Sequence, residues 1–259
     1  MMSVHIRNFG MTADSKEVHL YTLESVSGMR VSVTDLGGML QEVSVPDGKG
    51  GFIDVALGYD GASGYLRFGG SLGAIIGRNA NRIAGASFDL GGTTHRLTNN
   101  DGENNIHSGP HVWRKRLWDV AEDPKDDPDG GASITFGLVS RDGDQGFPGA
   151  ADVRATYTLH PDWRLELALE AQVTKTTIVN LTSHAYWNLN GHASGSVLRH
   201  SFSLDADAYT PVGKGLIPTG EIAPVEGTPY DLRESTNFEN RLYALPDGLD
   251  TNFVLKNDE

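Results

Sequence analysis

In residues 163–173 the apolar side chains Trp163, Leu165, Leu167, Leu169, Ala171 and Val173 fall on every second position. Leu, Glu and Ala, which fill much of this run, are good helix formers. Side chains at i and i+2 share a face only in an extended chain, however, so period two overrides propensity and predicts a long half-buried strand. The same period returns at residues 17–24 and 29–34, where Met29, Val31 and Val33 oppose Arg30, Ser32 and Thr34, and again in residues 202–208. Further strands are expected at 41–46, 53–59, 134–139 and 153–159.

The punctuation between these runs is that of β-structure. Pro46-Asp47-Gly48-Lys49-Gly50-Gly51 and Gly91-Gly92 supply turn dihedrals for two hairpins. Residues 119–131, acidic and rich in Asp, Pro and Gly, are expected to form an exposed loop, and residues 209–230, with four prolines, an extended connection. Thr236 and Glu239 have capping-box spacing, predicting a short helix near residues 237–243, followed by a strand over 248–255. Many short strands, little helix and glycine-rich turns make an all-β sandwich or barrel. No Pro/Ser-rich linker divides the 259 residues, so a single domain spanning 1–259 is expected.

Acidic residues outnumber basic ones 34 to 21, for a net charge of −13, which argues against nucleic acid or an anionic membrane as partner. The chain has no cysteine, so disulfides, thiolate metal sites and thiol nucleophiles are excluded together. No basic n-region with an apolar run opens it and no stretch has the length of a membrane span, so a cytoplasmic protein is the expectation. The glycine-rich residues 68–77 have neither the spacing of a dinucleotide fingerprint nor a GK[ST]. His107 and His111 are four apart, but Gly109 and Pro110 forbid the helix that would make them a metal pair.

Chemistry concentrates in residues 180–191, NLTSHAYWNLNG: one histidine, two aromatics with polar tips and three asparagines, a mixture suited to a polyhydroxylated ligand. Imidazole titrates near neutrality, so His184 can give or take a proton, and Tyr186 or Trp187 can offer a flat face to a sugar ring. On its own, a histidine in a strand is more often a hydrogen-bonded structural residue than a catalyst. His107, in the Asn/Asp/Gly-rich loop 99–109, is a second imidazole candidate. The stretch GRNANRI at 77–83 places two arginines and two asparagines after an apolar run, where some of these heads are fixed by neighbours.

Six blocks in order, GRNANRI (77–83), NIHSG (105–109), DGDQGFPG (142–149), NLTSHAYWNLNG (180–191), IPTGEI (217–222) and GLDTNF (248–253), resemble the aldose 1-epimerase (galactose mutarotase) family, and the likeness covers nearly the whole chain. The resemblance implies a galactose mutarotase-like β-supersandwich with a sugar cleft on a concave sheet, no metal and no organic cofactor. It implies that α and β anomers of glucose or galactose are interconverted by ring opening and reclosure, with His184 as general acid and His107 as the second imidazole. Asn81, Arg82, His107, Tyr186 and Asp250 are then substrate-binding residues, the partner is a small aldose, and the chain is a monomer or weak dimer.

The family's general base is a glutamate well downstream of the GLDTNF block, and Glu221, Glu226 and Glu259 do not match its motif. The sequence is therefore expected to lack its C-terminal strands, to be weakly active or inactive, and to expose strand edges that favour aggregation. Two alternatives stand beside this reading: a non-catalytic hexose-binding domain, and a hexose-6-phosphate 1-epimerase with extra cations at the cleft mouth.

Overall fold

In the computed structural model, which describes residues 4–245 and 248–256, the chain forms two compact units, one up to Ala193 and the other from Ser194 onward. The first unit opens with β1 (Val4–Met11), β2 (Glu17–Glu24), β3 (Arg30–Thr34), β4 (Met39–Pro46) and β5 (Phe52–Asp54), an antiparallel sheet in which strands adjacent in sequence pair. Helix α1 (Ala62–Phe68) follows, then the short strands β6 (Ile75–Ile76), β7 (Arg82–Ile83), β8 (Ser87–Leu90), β9 (Thr93–Arg96) and β10 (Asn105–Ile106). A second antiparallel sheet runs in order through β11 (Asp119–Asp126), β12 (Ala132–Ser140), β13 (Ala151–Leu159) and β14 (Leu165–Val173), and β15 (Thr182–Ser183) precedes the end of the unit.

The two large sheets share one core. Inward columns are in register across the second sheet: Phe136 faces Ala155, which faces Leu169, and Ile134 faces Tyr157, which faces Leu167. These meet Tyr21, Leu23, Val31 and Val33 of the first sheet, all buried. The Tyr21 and Phe136 rings pack edge-on at 5.5 Å, and the buried Tyr157 hydroxyl donates to the Gly38 carbonyl at 2.8 Å, tying the layers. A one-residue slip of any of these strands would turn its apolar column away from the core.

The first sheet is covered on its other face too. Val18 and Leu20, of opposite parity to Tyr21 and Leu23, join Phe9, Met39 and residues Ala62 and Tyr65 of α1 in a second core. This explains why β2 is buried at consecutive positions. A bulge in β4, opposite Ser32 and Val33, lets Leu40 and Val43 point into the same core although they are three apart.

The hairpins at Pro46–Gly51 and Gly91-Gly92 form as the turn residues predict, as β4–β5 and β8–β9. Residues 119–126 differ from expectation: they are a strand, not a loop. Their charges sit on an edge strand that is mostly exposed and pairs with β12 through register shifts around Glu122, a way to satisfy a sheet edge without presenting a sticky one. The strand expected over 53–59 leaves its ladder after Asp54. The Asp54 carboxylate accepts from the Val43 and Ala56 amides, and the chain passes on to pair Ala56 with Trp187.

The second unit contains β16 (Ser201–Phe202), β17 (Ala206–Tyr209), β18 (Ala223–Pro224), β19 (Thr236–Asn237), α2 (Phe238–Leu242) and β20 (Phe253–Leu255). β17 is the centre of a three-stranded sheet between β18 and β20, and β16 pairs with β19. The helix starts one residue later than its capping-box spacing predicts. Asn237 is the N-cap, its side-chain oxygen accepting from the Asn240 amide, while Thr236 remains extended in β19.

Candidate active site

The two histidines expected to act together are far apart in sequence and adjacent in space. Their rings lie 5.5 Å apart, nearly perpendicular, and the Tyr186 ring lies 5.1 Å from that of His184. Short pairings hang these residues on the core. Ile75 and Ile76 are buried, one in each core, and as β6 they pair with β15 immediately before His184. The His184 amide donates to the Ala74 carbonyl, the Gly73 amide to the His184 carbonyl, and the Leu57 amide to the Tyr186 carbonyl. The backbone around His184 is thus bonded on both sides, while Tyr186 is 44% exposed and keeps its ring at the surface.

His107 follows β10, which pairs with β7 so that Ile106 faces Arg82. His107 and Ser108 both have left-handed backbone, φ +51° and +68°, as does Asn81 at +63°. Conformations so unfavourable for non-glycine residues persist only where the surroundings fix them. Here the His107 amide donates to the Asn81 carbonyl at 3.1 Å, and the Asn81 amide donates to His107 Nδ1, also at 3.1 Å. Because a main-chain N–H occupies Nδ1 as an acceptor, the neutral ring carries its proton on Nε2 and is a donor there. The Ser108 hydroxyl, 1% exposed, accepts from the Asn79 amide at 2.7 Å and donates to the Asn79 carbonyl at 3.2 Å.

Arg82 Nε donates to Asp101 Oδ2 at 2.7 Å, and one of its terminal nitrogens lies 3.5 Å from Asn81 Oδ1. With its plane fixed on that side, the guanidinium has further N–H groups for a hydroxyl-bearing ligand. Asp101 is a site residue that sequence reasoning missed; it lies in the Asn/Asp/Gly-rich loop, and the only signal was an acid there with a cation elsewhere to pair. Arg78, four residues before Arg82, points away into the protein and is 1% exposed, so it offers no charge to a surface phosphate.

Gly77 is required by close approach: a Cβ there would run into the Trp113 ring and Leu181. Asp250 belongs to the second unit, exposed, on the segment that leads into β20; two residues on, Asn252 donates to the Thr210 hydroxyl at 3.1 Å. Glu259 lies outside the described residues. Among the described residues, no three His, Cys, Asp or Glu side chains are grouped to hold a metal ion.

A family model described as Aldose 1-epimerase matches residues 19–259. Galactose mutarotase of Sus scrofa is 39% identical over 258 residues, covering 99% of this chain and 73% of that protein. Aldose 1-epimerase of Escherichia coli (strain K12) is 34% identical over 251 residues, covering 95% of this chain and 70% of that one. Among solved structures, galactose 1-epimerase from Lactobacillus acidophilus NCFM superposes with a TM-score of 0.88 at 28% identity, covering all of this chain and 76% of that one. Sequence and fold agree along the whole length of this chain, and the chain belongs to the aldose 1-epimerase family.

Proposed function

We propose that this protein interconverts the α and β anomers of an aldohexose, glucose or galactose, by acid/base opening and reclosure of the pyranose ring. The reading rests on family membership and, above all, on the 5.5 Å approach of the His107 and His184 rings, which puts two groups able to exchange protons near neutrality beside one ligand position. His184 acts as general acid at the ring oxygen, and His107 donates from Nε2 to a sugar oxygen. The base takes the proton of the anomeric hydroxyl as His184 protonates the ring oxygen and the C1–O5 bond breaks; the aldehyde turns about its C1–C2 bond, and the C5 hydroxyl adds to its other face with the two proton transfers reversed. Family resemblance assigns the base to a glutamate C-terminal to the GLDTNF block.

Asn81 and Arg82 hold hydroxyls, and Tyr186 walls the sugar beside His184; for Asp250 a hydroxyl-holding role is what the family resemblance implies. Each positioned proton transfer contributes about 10²–10⁴ in rate, so the reaction asks for no metal or organic cofactor. We read both units as parts of one domain, because the family match runs through them both. We place the protein in the cytoplasm as a monomer or weak dimer; no helix among its described residues is long and apolar enough to cross a membrane.

Polarimetry on freshly dissolved α-D-glucose and α-D-galactose tests the reaction. The expected result is first-order decay of rotation faster than in buffer, weak without the downstream glutamate, and returned to the buffer rate in His184→Asn. Decay at the buffer rate refutes the reaction, and saturable sugar binding without acceleration identifies a hexose-binding domain instead.

A further inference from the structure

Arg78 is the most deeply buried charge in the stretch that carries Asn81 and Arg82, and it touches neither histidine. Its guanidinium donates to the carbonyls of Pro148 and Gly149 at 2.9 and 2.7 Å, and to the carbonyl and hydroxyl of Ser140 at 3.1 and 2.8 Å. A fifth bond reaches the Arg141 carbonyl at 3.3 Å, and the Phe147 ring lies under the cation at 5.7 Å. Its Nε is buried without a hydrogen-bond partner among the described residues. Burying a cation is costly, and well-packed apolar side chains often stabilise a fold as well or better. The feature that an apolar residue would not reproduce is geometry: one rigid fork holds both ends of the turn 140–149.

That turn leads back to the imidazoles. Gln145 Oε1 accepts from the His111 amide at 2.9 Å. Asp144 binds Arg116 at 2.7 and 3.0 Å, and Arg116 donates to the His111 carbonyl at 2.8 Å. The loop containing His111 begins at His107, which is locked to Asn81, while the Arg78 carbonyl accepts from the Asn180 amide at the head of the His184 segment. The contacts close on themselves: from Arg78 to the turn, to His111, to His107, to Asn81, and back along the chain to Arg78.

We propose that Arg78, with the turn 140–149 it clamps, is a positioning residue that sets where the His107 ring stands relative to His184. The inference rests on the proposed anomer exchange for its kinetic consequence, but its geometric content is independent of turnover. A misplacement of about 1 Å costs on the order of 100-fold in rate. Arg78→Lys keeps the charge and loses the fork; Gln145→Leu leaves Arg78 untouched and breaks one link to His111.

Two readouts on the full chain test this: kcat and KM for α-D-galactose, and the imidazole 1H–15N resonances of His107 and His184, assigned by single substitution. The expected result is a kcat about tenfold or more lower in Arg78→Lys and about threefold lower in Gln145→Leu, a fall in kcat larger than any rise in KM, and displaced His107 resonances in both. Cooperative unfolding at a lower temperature with unchanged kcat and unchanged His107 resonances would overturn the proposal, since that is the behaviour of a structural pin. If Arg78→Lys does not fold, Gln145→Leu decides. If the wild-type chain accelerates no sugar, the anomer-exchange reading fails alone and the resonances decide: His107 signals that do not move in either variant refute the positioning role.

Discussion

Ser108→Ala isolates what holds the His107 loop. The hydroxyl makes two bonds to one neighbour, accepting from the Asn79 amide at 2.7 Å and donating to its carbonyl at 3.2 Å, in a site 1% exposed to solvent. Removing it leaves the part-buried Asn79 main-chain N–H without its acceptor, which costs about 1–3 kcal/mol. Position 108 also has φ +68°, a conformation that disfavours alanine by about 1–2 kcal/mol and glycine hardly at all. Ser108→Gly therefore loses the same bonds but relieves the backbone, offset by about 0.4–1 kcal/mol for its freer unfolded chain.

The expected order of stability is wild type, then glycine, then alanine, with the two variants no more than about 1.6 kcal/mol apart. At about 2–4 °C per kcal/mol for a unit of this size, alanine lowers Tm by roughly 2–12 °C. Thermal unfolding followed by circular dichroism, beside polarimetry on the same samples, measures both stability and site. An alanine variant melting within a degree of wild type would refute the argument that this hydroxyl fixes the loop. So would a glycine variant clearly less stable than the alanine one.

Three further outcomes follow from the geometry. Asp101→Asn should raise KM several-fold by freeing the Arg82 guanidinium, yet change stability by less than about 1 kcal/mol, because the pair is partly exposed; kinetics and urea melts separate the two. Burial pushes the Asp144 carboxyl up, but hydrogen bonds from Arg116 and Ser140 and the charges of Arg116 and Arg78 outweigh it and hold it below the ordinary carboxylate range. Its contribution is therefore fully present above its unfolded value of about 3.9 and lost as pH falls through the lower folded value, so Asp144→Asn should flatten the acid side of a stability profile measured by urea unfolding. Tyr157→Phe removes the bond to Gly38 inside the core and should cost about 1–2 kcal/mol in urea unfolding, with no change in anomer exchange.

What sequence made legible and what it hid divide along a physical line. Period two identified β2, β3 and β14 because half-buried strands must alternate, and Gly91-Gly92 marked its hairpin because that turn needs left-handed residues. Charge misled at Asp119–Asp126, where an edge strand tolerates what a central one does not. Helix α1 carries too few residues for a helical period to register against its glycine and serine. Around the site, His107, His184 and Tyr186 were legible through residue type and resemblance. Their support was not: β6, β7, β10 and β15 are two residues long, below any periodicity. The partnerships of Arg82 with Asp101 and of Ser108 with Asn79 join residues 19 and 29 apart, a separation no local pattern encodes.

The Asn81 amide that caps His107 Nδ1 belongs to the backbone. A side-chain change at position 81 that tolerates the left-handed backbone therefore leaves unaltered which imidazole nitrogen bears hydrogen. Only proline lacks the N–H, and proline cannot adopt φ +63°. Side-chain identity at this residue and hydrogen placement on the neighbouring imidazole are thus separable, one carried by the side chain and the other by the main chain.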